Sequence, residues 1–73
     1  MIFIRQTFAD GKERLGTDGF IRLDARRSMT RLYADADWHM RARGWQGYNM
    51  YKATHLREDW KLLHSATNPE KAP

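Results

Sequence analysis

Residues 28–44 read SMTRLYADADWHMRARG, and the reading of this stretch decides the fold. Met29, Leu32, Tyr33, Ala36 and Met40 recur at steps of three and four, the period of one apolar helix face. Ser28 suits the N-cap, because its hydroxyl can accept an orphan backbone N–H. Arg31, not Glu, stands three residues on, so a capping box is absent. Gly44 supplies a left-handed stop, and Trp45 can close over the last turn. The spacing predicts a helix over 28–43.

Outward from the helix the period changes to two. Ile2, Ile4, Gln6 and Phe8 alternate with Phe3, Arg5 and Thr7, which predicts a strand over 2–8. Asp10-Gly11 is a turn signal, since glycine tolerates positive φ, and Thr17-Asp18-Gly19 is a second one. Glu13-Arg14-Leu15 between them reads as a short hairpin extension or as a loop. Phe20-Ile21-Arg22-Leu23 reads as a second strand. After the connector Gln46-Gly47, residues 48–54 read as a third, with Tyr48, Tyr51 and Thr54. Leu56 to Ser65 fits either period: Leu56, Trp60 and Leu63 suit a helix, while Trp60, Leu62 and His64 alternate. A strand over 59–64, after a turn at Arg57-Glu58-Asp59, is the preferred reading. Ser65 to Pro73 holds two prolines and no period, and reads as a loose tail.

The expected architecture is a single α+β domain over 1–64 with a tail over 65–73. It is a small antiparallel sheet packed on one helix, in the order β-β-α-β followed by a fifth element. The sheet face away from the helix would be bare unless a partner or the C-terminal segment covers it.

Composition narrows the function classes. The chain has 73 residues, with 13 Lys+Arg against 9 Asp+Glu, a net charge of +4, and no cysteine. Disulfides and thiolate metal sites are therefore excluded. A domain of this size buries only roughly 60% of its unfolded surface, so its stability margin is thin. The apolar start Met1-Ile2-Phe3-Ile4 stops at Arg5, short of a signal-peptide core, and no run approaches the ~20 apolar residues of a membrane helix. A cytoplasmic protein without membrane partners is the expectation.

No catalytic pattern stands out. His39, His55 and His64 fall on three separate predicted elements, without the spacing of a zinc pair, so neither a metal nor another cofactor is expected. Asp35 follows Arg31 by one turn, and Asp37 precedes Arg41 by one, which are ion-pair spacings on a solvated face. The glycines are scattered and form no phosphate-cradling loop. Phe3, Phe8, Phe20, Tyr48 and Tyr51 could stack bases on a sheet face, but most are needed as core.

The arginines and tryptophans carry more. Nine of the thirteen cations are arginine, the residue whose planar fork suits phosphate and carboxylate. Arg26 and Arg27 precede the helix and Arg31 lies one turn in, where cations oppose the macrodipole. Together with free helix N–H groups they form a candidate anion-recognition patch. The plain alternative places Arg26 and Arg27 in the loop, where that penalty is small. With Met29 at zero on the helical wheel, Trp38 falls at about 180°, opposite the core stripe. Arg31, Ala34, Asp35, Arg41, Ala42 and Trp45 surround it there. A tryptophan ringed by alanines and arginines has the make-up of a binding hot spot. The plain alternatives are that residues 56–65 fold over it, or that it is a lone exposed aromatic. Self-association through this face, giving a homodimer, would also suit so small a core.

The stretch Asp24-Ala25-Arg26-Arg27-Ser28, the helix, and Gly44-Trp45-Gln46-Gly47-Tyr48 resembles a small phage or mobile-element accessory domain. Several compact anti-CRISPR proteins are similar in layout, with two strands, one helix and one or two further strands. The resemblance is architectural and carries over no functional residues. It implies a non-enzymatic inhibitor of a host defence complex.

The expected function is accordingly a non-enzymatic binding module that occupies a site on a larger protein or nucleoprotein complex. Trp38 and Trp45 would anchor it, and Arg26, Arg27, Arg31, Arg41 and Arg43 would supply charge complementarity. The alternative is direct nucleic-acid binding through the same arginines, for which +4 is a modest surplus. A third reading is a small ribonuclease-type toxin using His39 or His55.

Overall fold

In the computed structural model, which describes residues 1–14, 16, 18–55 and 58–71, four strands and one helix form a two-layer α+β fold. Strand β1 spans Ile2–Thr7, β2 Phe20–Leu23, β3 Gly47–Lys52 and β4 Lys61–Thr67, and helix α1 spans Met29–Arg43. The strands lie in the order β2-β1-β3-β4, every neighbour antiparallel. The fifth element is thus a strand, as preferred. It begins and ends later than expected. Ser65, Ala66 and Thr67 belong to it, and Asn68 beyond it is fully buried, so the loose tail does not start at 65. Leu56 and Arg57, part of the ambiguous segment, lie outside the described residues.

β1 sits between two neighbours and is covered on both faces. Directly opposed residues of an antiparallel pair share a face. Ile2 and Ile4 therefore align with Leu23 and Ile21 on one side, and Ile4 aligns with Met50 on the other. This face meets Leu32, Ala36 and Met40 of the helix, with Trp45 and Tyr48 closing one end. Met29 and Tyr33, the rest of the apolar stripe, are part exposed at its margins.

The second face is not bare. Phe3, opposite Arg22 and Tyr51, is completely buried there. Its ring lies 4.9 Å from Phe20, 5.5 Å from Tyr51 and 5.0 Å from Trp60. Two connections supply the cover. Trp60 folds in from the β3–β4 connection. Glu13 reaches over from the β1–β2 connection to accept from Arg5 at 2.8 Å, from Asn49 at 2.8 Å, and from the Tyr51 hydroxyl. The Asp10-Gly11 turn does form, with Gly11 N donating to Phe8 O at 2.8 Å. Beyond it Lys12, Glu13 and Arg14 form no strand, while Leu15 and Thr17 lie outside the described residues.

The helix ends as its residues dictate. The Ser28 hydroxyl accepts from Arg31 N at 3.3 Å. Gly44, at φ 67°, donates to Arg41 O at 3.1 Å, and Trp45 N donates to Met40 O at 3.0 Å. That pair of bonds satisfies two orphan carbonyls and swings Trp45 inward.

Candidate functional site

The outward face of α1 is built around Trp38. Its position opposite Leu32, Ala36 and Met40 leaves it 65% exposed, and the described residues 58–65 do not bury it. The ring meets the neighbouring His39 imidazole edge-on, with centroids 5.1 Å apart. Ala34 and Ala42 are exposed beside it, so small side chains leave both flanks open.

Trp45, the second expected anchor, is not on this surface. It is only 4% exposed and belongs to the core. The wheel angle placed it beside Trp38, but the helix stops at Gly44 and the next residue obeys the C-terminal turn, not the wheel.

The five arginines separate into different environments. Arg26 grips Asp24 through two bonds, at 3.0 and 3.1 Å, and both residues lie in the loop before the helix. The Arg26 hydrogen bonds hold the Asp24 carboxyl down to about 2. Arg27 pairs with Asp35 at 2.7 Å. The sequence spacing had paired Asp35 with Arg31. Arg27, arriving from the loop, takes that carboxylate instead, and among the described residues the Arg31 guanidinium makes no ion pair. Arg41 does pair with Asp37 at 2.8 Å, and it also holds Glu70 at 2.8 Å, tying the C-terminal turn to the helix. Arg43 donates to His39 Nδ1 at 2.8 Å. An arginine can only donate, so the His39 Nδ1 is the acceptor and its ring is neutral in this arrangement. Burial, and then the Arg43 charge, lower the His39 pKa.

Arg26, Arg27 and Arg31 therefore do not converge as a free anion patch, because two of the three are already neutralised. Among the described residues Arg31, on the same helix face as Trp38, and Arg43, bonded to the neutral His39, are left without a carboxylate partner. His39, His55 and His64 stay apart. His39 faces Arg43, the His55 backbone pairs with that of Glu58, and His64 packs between Tyr33 and Tyr48. Among the described residues no three His, Asp or Glu side chains gather at metal-binding distance. No described helix is long and apolar enough to cross a membrane.

Sequence reasoning missed the network on the second sheet face. Glu13 gathers three donors, and Ser65 extends the set by donating to Asn49 Oδ1 at 2.7 Å. Nothing local to Glu13 marks it, since two of its three partners, Asn49 and Tyr51, lie on β3, far along the chain. Arg5 also stands 5.2 Å from the Trp60 ring centre, a cation–π contact. These aromatic faces are spent on one another and on Arg5, which leaves little of them for bases.

Compared with known proteins, the chain matches no family model, no curated protein and no solved structure.

Proposed function

We propose that this chain is a non-enzymatic binding module that docks on a larger protein, or on the protein part of a nucleoprotein complex, through the outward face of α1. The exposed Trp38 carries this reading. Burying a large apolar side chain against a partner gains roughly 1.5–3 kcal/mol, and a rigid aromatic loses little entropy on binding. The Arg27–Asp35 and Arg41–Asp37 pairs flank it as a polar rim. Arg31 adds one uncompensated positive charge. The fitting partner offers an apolar pocket for Trp38 and a carboxylate for Arg31. A second copy of the chain fits less well, since it would bring two like-charged faces together. The architectural resemblance to compact anti-CRISPR proteins that the sequence suggests would extend the reading to an inhibitor that acts by occupancy.

The ion pairing of Arg26, Arg27 and Arg41 favours a protein over a nucleic-acid backbone, because each pair would have to open before meeting phosphate. The test pairs two measurements. Crosslinking from position 34 or 42, which flank Trp38, against position 12 as control, should trap a defined protein that a Trp38→Ala variant no longer binds while its melting temperature is unchanged. Fluorescence anisotropy with labelled DNA and RNA should show little binding at physiological salt. Tight binding that weakens steeply with salt would replace this reading with phosphate recognition.

A further inference from the structure

Lys52 and Lys61 stand directly opposite each other on β3 and β4. Like charges in that position destabilise a sheet. Among the described residues every ion pair is made by an arginine, and neither lysine has a carboxylate within ion-pair distance. Both line a cleft of about 580 Å³, together with Met1, whose α-ammonium donates to Ala53 O at 2.7 Å, Thr54, Asp59 and the apolar Ala53 and Leu63. A local rule broken without compensation marks a place where something else supplies the missing charge.

We propose that this cleft binds a phosphate dianion, as found in a phosphate monoester or pyrophosphate. Two lysines set opposite each other by strand register, on flexible stems at one cleft, can turn their ammonium groups onto one compact oxyanion, each offering three donors without the flat geometry of an arginine fork. A phosphate monoester carries nearly two negative charges near neutral pH, enough to answer both lysines, whereas a carboxylate or a phosphodiester answers one. The Thr54 hydroxyl adds a neutral donor at the wall. Asp59, held at φ 62°, is the opposing charge in the cleft and limits affinity. The site is separate from the Trp38 face and stands or falls independently of it.

The test is an NMR titration of the full chain with inorganic pyrophosphate at constant ionic strength, read on the backbone amides of Lys52, Thr54 and Lys61. Saturable shifts at millimolar or lower concentration are expected. Lys61→Thr should keep the fold, melt no lower than the parent in anion-free buffer, and lose the saturable shifts by at least tenfold in affinity. Lys61→Arg should retain them, and Asp59→Asn should tighten binding severalfold. Equal shifts in the Lys61→Thr variant, or equal shifts with sodium chloride alone, would overturn the proposal. Competition by an unphosphorylated oligonucleotide as effective as pyrophosphate would overturn the dianion assignment.

Discussion

Asn68 and Trp45 are joined by a buried hydrogen bond, the Asn68 side-chain amide donating to the Trp45 carbonyl at 2.9 Å. The Asn68 backbone N also donates to Gln46 O at 2.7 Å, and its Oδ1 accepts from Glu70 N at 3.0 Å. One side chain thus fastens the turn after β4 to the exit from the helix. Asn68→Ala leaves a buried carbonyl without a donor, which costs about 1–3 kcal/mol. Urea denaturation should show a lowered midpoint with an unchanged slope. A chain cut after residue 64 should not fold stably, since it loses this bond and half of β4.

The two tryptophans should behave in opposite ways. Trp45→Ala removes a core side chain and should cost about 3–5 kcal/mol, much of the stability of so small a domain. Trp38→Ala should stay within about 0.5 kcal/mol of the parent, because the ring projects from the surface. Thermal melts of the pair decide it. A large loss at Trp38 would mean that the ring supports the fold and is not reserved for a partner.

Gly47 is constrained by crowding. A Cβ there would lie 2.5 Å from the Ala66 carbonyl oxygen and 2.7 Å from the Thr7 hydroxyl. Gly47→Ala must therefore push β4 away from β3, or Thr7 out of place, at a cost of about 1–3 kcal/mol. Amide hydrogen exchange should rise first at the Ala66–Thr67 end of β4.

The alkaline limit of stability should report Tyr48. Burial, and then the nearby Asp37 charge, push its phenol up to about 12, against about 10 in the unfolded chain. Between those values the unfolded state gives up a proton that the folded state keeps. Stability present below pH 10 therefore falls as pH rises through this window, by about 1 kcal/mol once solvent near the hydroxyl is allowed for. Tyr48→Phe should flatten most of the slope. The remainder belongs to Tyr51, raised by burial and by its bond to Glu13. On the acid side, the lowered His39 value works the other way: stability held above about 6.5 declines as pH falls through the range below it.

The sheet and helix were legible because each is announced by a local period: two in Ile2–Thr7, three to four from Met29 to Met40. The caps at Ser28 and Gly44 were legible for the same reason. What escaped depends on register and return. Glu13 meets Arg5, Asn49 and Tyr51 only because β3 pairs with β1, and Lys52 meets Lys61 only because β4 pairs with β3. The second face of the sheet was expected to be bare unless a partner or the C-terminal segment covered it; Glu13 and Trp60 were not foreseen there because loop residues carry no period to show that they fold back. Trp45 was misplaced by carrying the helical wheel past the residue that ends the helix. Asp35 was assigned to Arg31 because spacing along a helix says nothing about an arginine arriving from the loop.

The place of β1 between β2 and β3 has a consequence for how the chain comes to fold. β1 leaves the ribosome before the other three strands and is the one the sheet is built around, yet its longest pairing runs to Gly47–Lys52. Until those residues emerge, Phe3 and Ile4 have only the short β2 to lean on, and the helix has half a surface to cover. Long loops must close before their contacts reward the closure. Nascent chains halted before residue 52 should therefore remain open to proteases, and protection should arrive late, within a narrow range of chain length.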